Sequence, residues 1–120
     1  MERLEVDGGC FCGAVRYRAT ARSIGQVICH CANCRKAAGA QSVAWVTFPA
    51  ESVTYQQGEP SSYRAENGAV WSFCGRCGTT LTYRHDHRPA EVDVTTGSLD
   101  DAEAFPPTKG VNLDEKLSWA

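Results

Sequence analysis

The chain has 120 residues, 42% of them hydrophobic and 22% charged, with a formal net charge of −2 at pH 7. That length predicts one domain over residues 1–120 with a modest core. The slightly acidic balance argues against a nucleic-acid binder, which needs a basic face, and no apolar stretch is long enough to span a membrane as a helix.

The opening MERLEVDGG carries acids and no apolar run, so it does not read as a secretory signal, and a cytoplasmic setting is expected. Short alternating apolar runs separated by turn residues then predict a mainly β domain. Strands are expected over Ala14–Thr20, Val27–Cys31, Ser42–Phe48 before Pro49, and Ser52–Tyr55 before Gly58 and Pro60. Between the second and third of these, Ala32–Ala38 has good helix formers and ends at Gly39, which predicts the single helix. Asn67-Gly68 marks a tight turn that pairs Ser62–Ala65 with Ala69–Phe73. Thr79–Tyr83 and Glu91–Thr96 complete the strands. The stretch from Leu99 to Ala120, with Pro106, Pro107 and Gly110, shows no period and is expected to be coil packing through Leu117 or Trp119.

Seven cysteines fall in three clusters: Cys10 and Cys12 in GGCFCG, Cys29, Cys31 and Cys34 in CHCANC, and Cys74 and Cys77 in FCGRCG. Pairs spaced C-x-C or C-x-x-C place two sulfurs on one turn, within reach of a single tetrahedral ion. The outer pairs, Cys10 with Cys12 and Cys74 with Cys77, together make a four-thiolate set that reads as a structural zinc. Glycines beside them permit the turns that aim amides at sulfur, and a shared ion would close a long loop between the early strands and the later hairpin. Four thiolates also suit iron. Small buried cysteines without metal are the alternative.

The middle cluster offers three thiolates, Cys29, Cys31 and Cys34, at a strand end and the first turn of the helix. Three protein ligands with one open position describe a catalytic zinc, where a thiol or a carbonyl oxygen can be activated. A redox thiol cluster, or a second structural zinc capped by His30 or another side chain, is the competing reading. His30 sits between two cysteines on a strand, so its side chain should point to the opposite face and pack there. Arg35 and Lys36 could orient an anionic substrate, although solvated charges on a helix face are the commoner outcome. His85 and His87 have chelating spacing, but a polar hairpin tip accounts for them. Trp45, Trp71 and Trp119 are core candidates that could also wall a pocket.

GGCFCGAVRY, CHCANCRKAAGA, FCGRCGTTL and TTGSLDD, in this order and spread over nearly the whole chain, resemble the glutathione-dependent formaldehyde-activating (GFA) enzyme family. The resemblance implies a β-tent of antiparallel sheets. It implies that Cys10, Cys12, Cys74 and Cys77 match structural zinc ligands and that Cys29, Cys31 and Cys34 match catalytic zinc ligands, giving two Zn2+ sites. It further implies a carbon-sulfur lyase that joins glutathione to formaldehyde as S-(hydroxymethyl)glutathione. The chain departs from the family pattern at Ala65-Glu66, where Ser-Ser is common, at Trp71, where arginine is common, and at Gly110, where histidine is common. Exchange of Arg for Trp removes a forked cation that suits carboxylates. The reading is a zinc enzyme acting on a thiol adduct of a small aldehyde, with a non-catalytic zinc-stabilised binding module or a thiol redox sensor as alternatives.

Overall fold

The segment Val43–Pro49 carries apolar residues on both faces, with Val43 and Trp45 pointing one way and Val46 and Phe48 the other, and all four are buried. A strand of that kind must be covered on both sides, and it lies inside a sheet. The computed structural model, which describes residues 4–120, contains ten strands. They are β1 (Val6–Gly9), β2 (Arg16–Ala19), β3 (Gly25–Cys29), β4 (Val43–Pro49), β5 (Val53–Gln57), β6 (Ser61–Arg64), β7 (Ala69–Phe73), β8 (Thr80–His85), β9 (Glu91–Thr95) and β10 (Lys109–Val111). The one α-helix, α1 (Ala32–Ala38), follows β3.

Strands β1-β2-β5 form a small sheet, and β10-β3-β4-β9-β8-β7-β6 form a seven-stranded one. The main core lies between them. Tyr17, Ala19 and Val53 from the small sheet pack with Val46, Phe48, Leu81, Val92 and Val94 from the large one. A bulge decides the place of Leu81. Phe73 pairs with Thr80 but Ser72 pairs with Thr82, so Leu81 is the extra residue on β8 and joins the core, while the next pair, Tyr83 and Asp93, faces the other side. On that second side a smaller cluster gathers Val43, Trp45 and Trp71 around Cys29 and Cys34.

The helix occupies the residues expected and stops at Gly39, whose φ of 62° is the left-handed conformation glycine tolerates. The β6–β7 hairpin also forms, with Tyr63 opposite Trp71. Its loop has four residues, Ala65–Gly68, in which Gly68 alone takes positive φ (93°) and the Asn67 side chain accepts a hydrogen bond from the Ala69 amide at 3.0 Å.

The tail departs from the expectation of coil. Lys109–Val111 pairs parallel to β3, with Val111 opposite Cys29, and the Thr108 amide donates to the Gln26 carbonyl at 2.9 Å. The sheets are therefore antiparallel except for this one pair. Leu117 is half-buried, but Trp119 is 70% exposed and anchors nothing. The short strand β1 was also absent from the sequence reading. Its VDGG carries no alternation, and Gly8 is needed because a Cβ there would lie 2.4 Å from the Tyr17 hydroxyl. No helix among the described residues is long and apolar enough to cross a membrane.

Phe48 is fully buried and touches the edge of Phe105 at a centroid distance of 6.4 Å. Truncation to alanine is expected to cost about 3–5 kcal/mol, read as a lowered urea midpoint with unchanged slope.

Candidate active site

Two groups of sulfurs converge, and they are the two read from the spacing. The Sγ atoms of Cys10, Cys12, Cys74 and Cys77 all lie within 4.8 Å of one another, as do those of Cys29, Cys31 and Cys34. All seven cysteines are free thiols. His85 and His87 meet edge to face at 4.8 Å and the His87 amide donates to His85 Nδ1, but neither joins a ligand group among the described residues.

The four-sulfur group stands where the two sheets meet. Cys10 follows β1 of the small sheet and Cys74 follows β7 of the large one. Both are buried in the main core. A tetrahedral ion with Zn–S bonds of about 2.3 Å sets its sulfurs roughly 3.8 Å apart. The Cys10–Cys12 and Cys12–Cys74 separations of 3.6 and 3.8 Å fit that edge. Backbone amides already point at the sulfurs: Val15 donates to Cys10 at 3.2 Å, and Arg76 and Cys77 both donate to Cys74 at 3.4 Å. Gly13 and Gly78, with φ of 81° and 84°, let the two turns close. The Thr79 hydroxyl and amide, with further hydrogen bonds, pull the Cys77 thiol down to about 5. At Cys12 the Ala14 amide acts downward but is outweighed by desolvation and the neighbouring thiols, which push it up to about 11.

The three-sulfur group is built by the end of β3 and the start of α1. Cys31 is the helix cap, its Sγ accepting from the Cys34 amide at 3.3 Å. Cys29 lies 3.3 Å from Cys31 and 3.1 Å from Cys34. These edges are tighter than the tetrahedral 3.8 Å, so an ion would spread them slightly. Burial and the adjacent Cys29 and Cys31 push the Cys34 thiol well up. Burial acts upward at Cys29 too, but the Cys31 amide, the neighbouring thiols and the Asn112 side chain together leave it lowered. His30, 8% exposed, turns away from the sulfurs to pack beside Gly110, as the strand alternation predicts. Its Nδ1 has no partner.

Above this group opens a cavity of about 360 Å3. Trp45, Trp71 and Tyr83 form one wall, with Trp71 and Tyr83 edge to face at 4.7 Å. Arg88 and Asp93 close another side. Arg88 pairs with Asp93 at 2.9 Å and with Glu91 at 2.7 Å, and Asp93 also accepts from the Thr47 hydroxyl at 2.5 Å. Of the charges considered from the sequence, Arg35 donates to the His30 carbonyl and Lys36 lines an adjoining groove, so neither lines this cavity.

Sequence reasoning missed Tyr83, Arg88 and Asp93 of the cavity wall, and it missed Asn112. Asn112 is the only non-glycine with positive φ (56°) among the described residues, and its amide donates to Cys29 Sγ at 3.3 Å. Three residues on, Glu115 accepts from the Ala32 amide at 3.0 Å, holding the first turn of α1. The β10 pairing brings both across more than eighty residues of sequence, and nothing local signals it.

A mainly β fold with one closed four-sulfur group and one three-sulfur group at the floor of a cavity defines the class of protein. The family model for glutathione-dependent formaldehyde-activating enzymes matches residues 5–114, and the chain belongs to that family. A Halomonas elongata protein provisionally named a glutathione-dependent formaldehyde-activating enzyme is 29% identical over 123 residues, spanning 95% of this chain and 78% of its own. The crystal structure of a Rhodobacter sphaeroides protein shares the fold at a TM-score of 0.71 and 20% identity, over 88% of this chain and 99% of that one.

Asn112→Gly keeps the left-handed backbone and removes the amide donor. It is expected to weaken metal retention at the three-sulfur group by about 10–100-fold, measured by chelator competition, with the four-sulfur group unaffected. Native mass spectrometry should show two bound ions falling to one in Cys29→Ala.

Proposed function

We propose that the protein is a zinc enzyme of the carbon-sulfur lyase class that joins a thiol such as glutathione to a small aldehyde and, in reverse, splits the adduct. In this reading Cys10, Cys12, Cys74 and Cys77 hold a structural zinc and Cys29, Cys31 and Cys34 a catalytic one. The observation that carries it is the incomplete donor set: three sulfurs and, among the described residues, no fourth Cys, His, Asp or Glu in the group, at the floor of a cavity large enough for a substrate. Zinc bound there would supply Lewis acidity and lower the pKa of a thiol at the fourth corner.

The chain's own residues then do the rest. The aromatic wall excludes water and confines the thiol and the aldehyde side by side, turning a bimolecular encounter into a local one. Burial keeps the Tyr83 phenol protonated; Arg88 opposes this, and the nearby Cys34 and Asp93 reinforce it. Tyr83 lines the cavity and is the proton donor we assign to the carbonyl oxygen as it becomes a hydroxyl. Asn112 steadies Cys29, and α1 carries Cys34 against it. Cysteines clustered as metal ligands and not paired as disulfides fit a reducing, cytoplasmic setting.

Exchange between free formaldehyde and its glutathione adduct, followed by NMR on the zinc-loaded protein, tests the proposal. Wild type should accelerate exchange, Tyr83→Phe should lower kcat by about a hundredfold, and Cys34→Ala should abolish the acceleration. In a cobalt-substituted sample, added thiol should shift the absorption bands of the three-sulfur site. Bands inert to every thiol, with no acceleration, would leave a zinc-stabilised binding module instead.

A further inference from the structure

Resting on that reading, we infer that the preferred adduct carries an aromatic or branched apolar group, seated against Trp45, Trp71 and Tyr83. The reaction balances without a co-reactant. The thiol sulfur bonds to the carbonyl carbon, the carbon–oxygen π bond opens, and the oxygen takes a proton from the Tyr83 hydroxyl, which the proton released by the thiol restores.

The adduct of formaldehyde adds only a hydroxymethyl group, yet the chamber over Cys29, Cys31 and Cys34 is lined on its apolar side by Val27, Trp45, Ala69, Trp71, Tyr83 and Val111. The three rings touch one another, with Trp45 6.0 Å from both Trp71 and Tyr83, so they form a continuous wall and not a cage around a cation. On the side of the aromatic wall the charges are spent internally, since Arg88 is held by Glu91 and Asp93, and Asp93 also by Thr47, while Lys109 stands exposed on the edge strand β10. A charged peptide arm lying there would lose water against apolar surface with little in return.

The polar part of the molecule has a separate place. A second, wider groove of about 650 Å3 shares Asn33, Ala69 and Trp71 with the chamber and adds Lys36, Glu66 and Asn67. Trp71 therefore divides the site into a chamber with an aromatic wall over the sulfurs and a mixed groove beneath the hairpin loop, where Tyr63 and Phe73 stand beside the charged Lys36 and Glu66. An adduct with one apolar and one charged arm matches both sides.

The apolar group can enter on either partner, and three substrate pairs separate the sources: glutathione with formaldehyde, glutathione with benzaldehyde, and benzyl mercaptan with formaldehyde. With the zinc-loaded protein, at least one ring-bearing pair should exceed the first by tenfold or more in kcat/KM. That advantage should shrink at least fivefold in Trp71→Ala. A second measurement needs no variant: on wild type, benzyl mercaptan should displace glutathione at a tenfold lower concentration than 2-mercaptoethanol does. Glutathione with formaldehyde as the best pair, or equal displacement by the two thiols, overturns the inference and leaves the thiol–aldehyde activity standing. No turnover of any pair overturns both.

Discussion

The arrangement depends on the two central strands, β4 and β9, being covered on both faces. Val46, Phe48, Val92 and Val94 point into the core between the sheets, while Val43, Trp45, Thr47 and Asp93 point the other way. The floor and walls of the cavity are thus the back of the main core. Close packing on one side holds the strands straight for the other, so positions in the cavity inherit the rigidity of the core. Sites supported in this way hold reacting groups more tightly than sites on loops.

The sulfur clusters use that frame differently. The four-sulfur group lies between elements of different sheets, and the Phe11 amide also reaches Thr79 Oγ1 at 3.0 Å, so each turn braces the other. An ion there would stabilise the contact between sheets by removing freedom from the unfolded chain. Phe11 itself is 95% exposed, which shows that the turn is held by its sulfurs and amides and not by packing of its aromatic ring. The three-sulfur group lies instead on one strand end and one helix turn, with a segment from the far end of the chain laid across it. Its geometry therefore depends on the docking of β10 as much as on the CHCANC motif.

Trp71 joins the two lines of argument. From the sequence it was one of three tryptophans and a departure from a family pattern. In the folded chain it pairs across the hairpin with Tyr63, packs on Tyr83 and separates two cavities. Positive charge reaches the cavity from other elements, through Arg88 and Lys109. Trp71 itself gives the surface above the sulfurs an aromatic face suited to apolar groups.

What the sequence determined by itself was local. The cysteine spacings, the helix Ala32–Ala38 with its Gly39 stop, the Asn67-Gly68 hairpin and the alternation of the longer strands all follow from conformational preferences within a few residues. The pairing of the two outer cysteine pairs was legible too, because tetrahedral chemistry requires four ligands and each pair supplies two. The tertiary structure alone decided the parallel docking of β10, the reach of Asn112 to Cys29, the grip of Glu115 on the helix, the Leu81 bulge and the closure of Arg88 onto Asp93 beside the aromatic wall. A three-residue strand carries no period to read, and its partner lies some eighty residues away. Such contacts form only where the whole chain has settled their relative placement, so no window of sequence contains them.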